Sequence, residues 1–191
     1  MTDFFSASAT YPHLEEKEIE SRQVYQGRLL DVRCDRVMTP DGHEVTREFV
    51  RHQGAAVIIP WLEHGHLLME RQFRYPVKRA MIEFPAGKID HGEEPLLTAK
   101  RELLEETGYE ATDWRHLGTM HPCIGYSDER IEIFSAKGLL AGDQCLDHGE
   151  HLDLIEATLA DALGAVQRGE ITDAKTIVAL FWAEKMIQSG W

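Results

Sequence analysis

The stretch that most constrains this chain runs from Gly87 to Tyr109, GKIDHGEEPLLTAKRELLEETGY. It predicts a glycine turn leading into one amphipathic helix. Glu93 and Glu94 stand where the exposed first-turn amides favour negative charge, and Pro95 suits the first helical position. Gly108 is placed to end the helix. At about 100° per residue, Glu102, Glu105 and Glu106 fall within roughly a quarter-turn of one another, while Leu96, Leu97, Leu103 and Leu104 fall on a different face. One face is therefore expected to pack, and the other concentrates negative charge.

Three clustered carboxylates repel one another, and an ordinary surface helix interleaves lysines to relieve that. Here only Lys100 and Arg101 are near. Two readings follow from the acids alone. The first is a solvated acidic face, the usual meaning of a charge run. The second is an oxygen-only cluster suited to Mg²⁺ or Mn²⁺, hard ions that keep several waters and often bridge to substrate phosphates.

The spacing separates the two. Gly87, Glu93, Arg101-Glu102-Leu103, Glu105-Glu106 and Gly108 resemble the Nudix box, G-x5-E-x7-R-E-U-x-E-E-x-G-U. Each polar or glycine position would match by chance at about 5–10% at average composition, so the joint match favours the metal reading. Tyr109 is the one departure, at a packing position where the family usually has an aliphatic residue.

Lys plus Arg number 20 against 33 Asp plus Glu, a net charge of −13. Nucleic acid and anionic membrane surfaces both need clustered positive charge, so neither is an expected partner. A phosphate-bearing small molecule would have to be drawn by metal ions and a few local arginines. Cys34, Cys123 and Cys145 are scattered, without CxxC spacing, and suit a reducing compartment better than a zinc site. No apolar run is long enough to span a bilayer, and the N-terminus lacks a charged region followed by an apolar core. The expected location is cytoplasmic.

At 191 residues the chain fits one α/β domain with room for an extra element. Residues 1–21 show no sustained period and are expected to form a loosely held arm, with Phe4, Phe5 and Tyr11 able to dock. Residues 22–52 read as short strands around the turn Thr39-Pro40-Asp41-Gly42. Such strands cannot bury a core unaided, which makes this segment a candidate oligomer interface. Residues 53–191 carry the main domain. Strands are expected at Ala55–Pro60, His66–Arg74, Ile82–Ala86, Trp114–His121 and Arg130–Ala136, with a polar loop from Gly142 to Asp153. A helix at Leu159–Gln167 ends near Gly169. Asp173 caps a final helix through Met186, with Ile177, Leu180, Phe181 and Trp182 on its buried side. Helices alternating with mixed strands imply a sheet sandwiched between helices.

The resemblance implies the Nudix fold, an α/β (α+β) arrangement in which a mixed β-sheet lies between helices and the box forms a loop–helix–loop. Members of the family hydrolyse a nucleoside diphosphate linked to another group. By resemblance, Glu102, Glu105, Glu106 and the main-chain carbonyl of Ala86 are metal ligands, with Mg²⁺ expected and Mn²⁺ an alternative. Glu93 and Arg101 tie the loop to the helix. Arg101 is counted with the catalytic set alongside Glu105, because it lies beside Glu102 and can orient carboxylates. A pyrophosphate repels an incoming nucleophile, so the reaction needs cations on the phosphate oxygens, an activated water and a general base within its reach. In the ADP-ribose pyrophosphatase branch the base is a glutamate on a loop beyond the box. Glu150 is the candidate here, and Glu129 the alternative.

Arg71-Gln72-Phe73-Arg74 with Glu83-Phe84-Pro85-Ala86-Gly87 is similar to the RQYR and E-L-P-A-G stretch of the ADP-ribose and ADP-sugar pyrophosphatases. Val24-Tyr25-Gln26-Gly27, Pro40-Asp41-Gly42 and Ala174-Lys175-Thr176 extend the likeness. It implies that Arg74 meets the pyrophosphate, that Glu83 contacts a sugar, and that the N-terminal strands form a swapped homodimer bringing Tyr25 to an adenine pocket. From the residues alone, Arg74 could equally pair with a surface acid, and Tyr25 could simply pack. The branch usually has a proline where this chain has Ile124, which loosens the substrate and leaves the hydrolysis untouched. ADP-ribose is the expected substrate. The alternatives are another nucleoside diphosphate sugar such as GDP-mannose, a dinucleotide, or a binding module without turnover.

Overall fold

The structure is a computed structural model that describes residues 10–190. Phe4 and Phe5 lie outside the described residues. Two compact units emerge: residues up to His52 together with Cys123–Asp128, and Gln53–Pro122 together with the chain from Glu129 onward.

In the first unit, β1 (Lys17–Gln26), β2 (Asp31–Met38) and β3 (Glu44–Arg51) form an antiparallel sheet in that order. The β2–β3 turn closes as the sequence implies. Gly42 takes φ 85°, and the Thr39 amide donates to the His43 carbonyl at 2.9 Å. The first strand begins at Lys17 rather than at residue 22, so the end of the expected arm is strand. Every residue of β1 is exposed, so no alternating apolar face marks it in the sequence. Its backbone ladder to β2 holds it, helped by Arg36 on Glu20 at 2.8 Å. The Cys123–Asp128 loop lies along β3: the Val50 amide donates to the Tyr126 carbonyl, and Asp128 accepts from the His52 amide at 2.7 Å.

The second unit contains β4 (Ala55–Pro60), β5 (His66–Arg74), β6 (Arg79–Glu83), β7 (Ala86–Lys88), α1 (Pro95–Thr107), β8 (Tyr109–Met120), β9 (Ile131–Ala141), β10 (Leu152–Thr158), α2 (Leu159–Gln167) and α3 (Ala174–Ser189). The strands form two sheets rather than one, β10-β5-β6 and β7-β4-β9-β8, with β4 and β9 parallel. Successive residues of a strand point to opposite faces, and β4 uses both. Ala56 and Ile58 meet Ala99 and Leu103 of α1. Val57 and Ile59 join Leu67 and Met69 of β5, Ala162 of α2, and Ala179, Leu180 and Ala183 of α3. The mixed sheet is thus sandwiched between helices, as expected. No helix among the described residues is long and apolar enough to cross a membrane.

Several local expectations need correction. Leu152–Thr158 is a strand, so the polar loop expected through Asp153 stops short of Leu152. On α3 the buried stripe is Thr176, Ala179, Leu180, Ala183 and Met186, whereas Phe181 and Trp182 are exposed. The small alanines let the helix approach the sheet, while the part-exposed Trp182 ring lies against Gly118 of β8. Leu97 of α1 is likewise exposed.

Candidate active site

The start of α1 is built around Glu93. Its carboxylate accepts from the Asp90 amide (3.2 Å), Thr98 Oγ1 (2.7 Å), and Arg101 Nε and Nη2 (3.2 and 3.1 Å). The Arg101 hydrogen bonds lead in holding this carboxyl down to about 2 against a modest penalty from burial. Arg101 also reaches Glu102 at 2.6 Å, Glu105 at 3.0 Å and the Lys88 carbonyl at 3.3 Å. It is the hub that joins the loop to the helix and relieves the repulsion among the acids. At the other end Gly108 takes φ 73°, and its amide closes on the Leu104 carbonyl at 2.8 Å.

The three box acids do not share an exposed face. Glu106 is buried, the Glu102 side chain is 13% exposed, and that of Glu105 is 36% exposed. Glu102 folds over β7 so closely that a Cβ on Gly87 would fall 1.9 Å from its carboxyl, so any side chain there would push that carboxyl from its place. Ala86, at the start of β7, donates its amide to Glu106 Oε2 at 3.0 Å. Burial pushes the Glu106 carboxyl up to about 10, with the charges of Glu70, Glu102 and Glu150 adding to it. Burial also raises Glu102, against the pull of Arg101.

The second wall comes from β5, where Glu70, Gln72 and Arg74 share one face by strand periodicity. Glu70 sits opposite Glu83 of β6 in the register. Glu83 is buried and takes both arms of Arg74, at 2.8 and 2.9 Å, together with Lys175. Burial pushes the Glu83 carboxyl up, yet Arg74 and Lys175 outweigh it and leave it below the usual range. Lys175 is steadied by Asp173 at 3.0 Å. Glu70 has no such cation: burial, then the charge of Glu83, pushes it up to about 8.

The structure brings Glu150 to this cluster. Gln72 Nε2 donates to its Oε1 at 2.9 Å, and its charge acts on Glu70, Glu102 and Glu106. Glu129, at the edge of β9, is not among the leading charges on those three groups. Arg74 is engaged with Glu83 rather than with a surface acid. Tyr25 lies on β1 in the N-terminal unit and is exposed. Sequence reasoning missed Glu70 as a site residue and gave Gln72 and Lys175 no role. The available signal was an acid interrupting the apolar run Leu67-Leu68-Met69, two positions before Gln72 and four before Arg74.

Among the described residues, no three acids are already drawn together as a metal cage. The donor set nonetheless fits a hard divalent cation. It consists of oxygens only, it includes carboxyls pushed upward first by burial and then by one another's charge, and both Glu70 oxygens are buried without a hydrogen-bond partner.

A carboxylate-rich loop–helix–loop laid against a mixed sheet defines a hydrolase of the Nudix class, and the chain belongs to the Nudix family. Residues 50–179 match the NUDIX domain, and residues 16–50 match the nucleoside diphosphate sugar hydrolase N-terminal domain. The chain is 40% identical to a methanol dehydrogenase activator of Bacillus methanolicus, over 87% of this chain and 91% of that protein. It is also 40% identical to an ADP-ribose pyrophosphatase of Bacillus subtilis (strain 168), over the same shares of the two chains, 87% and 91%. The crystal structure of an ADP compounds hydrolase aligns with a TM-score of 0.83 at 25% identity, covering 93% of this chain and 97% of that one.

Proposed function

We propose that this protein hydrolyses the pyrophosphate bond of a nucleoside diphosphate sugar, converting ADP-ribose to AMP and ribose 5-phosphate. The observation that carries this reading is the placement of Glu150, through Gln72, within electrostatic reach of the buried box acids. The similarity to an ADP-ribose pyrophosphatase supports the substrate. Glu102, Glu105, Glu106 and the Ala86 carbonyl would hold Mg²⁺, or Mn²⁺ in its place. A cation bound there supplies charge neutralisation at the phosphate oxygens and lowers the pKa of a bound water.

The remaining steps belong to the chain. Glu150 is anchored at Oε1 by Gln72, which leaves its Oε2 to take the proton from the attacking water. Arg74 binds the diphosphate bidentately. When it turns from Glu83 to the substrate, Lys175 stays on Glu83, which then presents its other oxygen to a sugar hydroxyl. Arg101 orients Glu102 and Glu105. Glu129 remains the substitute base. In a homodimer formed through the N-terminal sheet, Tyr25 is the adenine contact. Unpaired cysteines suit a reducing cytoplasm.

A turnover screen with Mg²⁺ and ADP-ribose, GDP-mannose, NADH and diadenosine polyphosphates tests the substrate. ADP-ribose should give the highest kcat/KM, with AMP and ribose 5-phosphate as products. Faster turnover of GDP-mannose would overturn the sugar assignment and keep the reaction class. Glu106→Gln tests the class itself. The amide oxygen can still accept from the Ala86 amide, so the fold should hold while turnover nearly vanishes. Activity within a few-fold of wild type would remove Glu106 from the metal set.

A further inference from the structure

Three buried oxygen acceptors on one face of β5 lack a donor: Glu70 Oε1, Glu70 Oε2 and Gln72 Oε1. One other buried side-chain atom among the described residues is in that state, Asp35 Oδ1 on β2. Turning the Gln72 amide brings no relief, because its Nε2 already serves Glu150 Oε1 at 2.9 Å, and a carboxylate offers an amide oxygen no proton. The neighbouring cations are also committed. Arg74 and Lys175 both sit on Glu83, directly across the strand pair. Leu68, two residues earlier on the same face, shows that an apolar side chain fits this face of the strand. A fully buried acid with two empty acceptors is costly unless something positive meets it. Among carboxylates, Glu70 acts on Glu106 more strongly than Glu102 or Glu150 does. The orphaned acid of β5 and the buried acid of α1 therefore face a common space.

We propose that Glu70 is a direct oxygen ligand of the divalent cation, contributed by β5 from outside the loop–helix–loop. The assignment rests on the cation site described above and extends it, so that the ion is gripped from both walls. Hard cations accept about six oxygens. Carboxylates from α1 and β5 together still leave positions for water and for substrate phosphate.

Binding of Mn²⁺ alone to the full chain, read by the electron paramagnetic resonance of the free ion, tests this without turnover. Glu70→Gln should weaken Mn²⁺ by about tenfold or more. Its melting temperature without metal should be equal to or above that of wild type, because the variant removes a buried unpaired carboxylate. Glu106→Gln should weaken Mn²⁺ as well. Wild-type affinity in Glu70→Gln, beside a clear loss in Glu106→Gln, would overturn the Glu70 assignment alone. A wild-type chain that does not bind millimolar Mn²⁺ would overturn the cation site and Glu70 with it. If Glu70→Gln does not fold, wild-type crystals soaked in Mn²⁺ decide. An anomalous peak within about 2.5 Å of a Glu70 oxygen supports the proposal, and an ion held by the α1 acids beyond that reach overturns it.

Discussion

Glu93 is part of the signature that announces a metal site, yet its hydrogen bonds give it a different task. Arg101, Thr98 and the Asp90 amide hold its carboxyl at about 2, below its ordinary value near 4.5. A carboxyl lowered on folding contributes stability that is fully present above the unfolded value and is lost as pH falls through the folded one. The window is therefore pH 4.5 down to 2. Glu93→Gln should cost about 1–2 kcal/mol at pH 7, after discounting for the partly exposed pair. Its stability should also vary less across that window than wild type does, as urea unfolding at stepped pH would show. An unchanged midpoint at pH 7 would mean that the Glu93–Arg101 tie adds nothing to the fold. Glu150, the proposed base, makes the opposite case, a loop acid whose value would lie in chemistry. Glu150→Gln should lower kcat by a factor of about 10²–10⁴ with KM within a few-fold, since the group acts on the proton in flight and not on substrate affinity. Steady-state kinetics with an unaltered kcat would move the base to Glu129.

At the scale of elements, the N-terminus of α3 supports the back of the site. Asp173 accepts from the Thr176 amide and hydroxyl, and Thr176 Oγ1 in turn accepts from the Phe84 amide at 3.0 Å. One cap therefore secures both a helix and the chain segment that follows Glu83. Thr176→Val keeps the shape and leaves the buried Phe84 amide unpaired, at a cost of about 1–3 kcal/mol. Thermal melts should show a drop of several degrees, and Thr176→Ser should recover most of it. A Val variant that melts like wild type would mean that water replaces the hydroxyl. The same helix shows what the sequence conveys and what it hides. Its cap and start, like the Gly108 stop of α1, are written in residues whose backbone chemistry is local. Which side it buries depends on the partner surface: Ala179 and Ala183 are fully buried, Phe181 is left exposed, and the part-exposed ring of Trp182 lies against Gly118 of β8. The box acids were legible by spacing alone. Glu70 was not, because a single acid in an apolar strand gains meaning only when β6 and α1 are set beside it. The start of β10 was hidden for a related reason. Acids continue from the preceding loop into Leu152–Thr158, and the pairing partner β5 lies far back in the sequence.

For the whole molecule, the N-terminal unit poses the largest unanswered packing problem. Among its described residues only Asp35 and Val37 are buried. Leu14, Ile19, Val24, Tyr25, Leu29 and Leu30 are all exposed, and three short strands rarely stand alone without an apolar face to cover. Three of these side chains lie on β1 and three beside the sheet, and exposed apolar groups gathered in this way would suit an interface. The exposed β1 edge also carries unpaired backbone groups that invite pairing with another chain. In the proposed homodimer a second copy of this chain would supply both needs, since a two-fold contact sets the same apolar patch against itself. Sedimentation at micromolar concentration should then give twice the 21.8 kDa of one chain. The double variant Ile19→Lys, Val24→Lys places like charges on both sides of that contact and should sediment as a monomer. Because the second unit has its own core, the variant should keep the far-ultraviolet signature of a folded protein while losing cooperative melting of the N-terminal strands. A wild-type chain that stays monomeric through the micromolar range would leave those six side chains to solvent and remove the homodimer, and with it the role proposed for Tyr25.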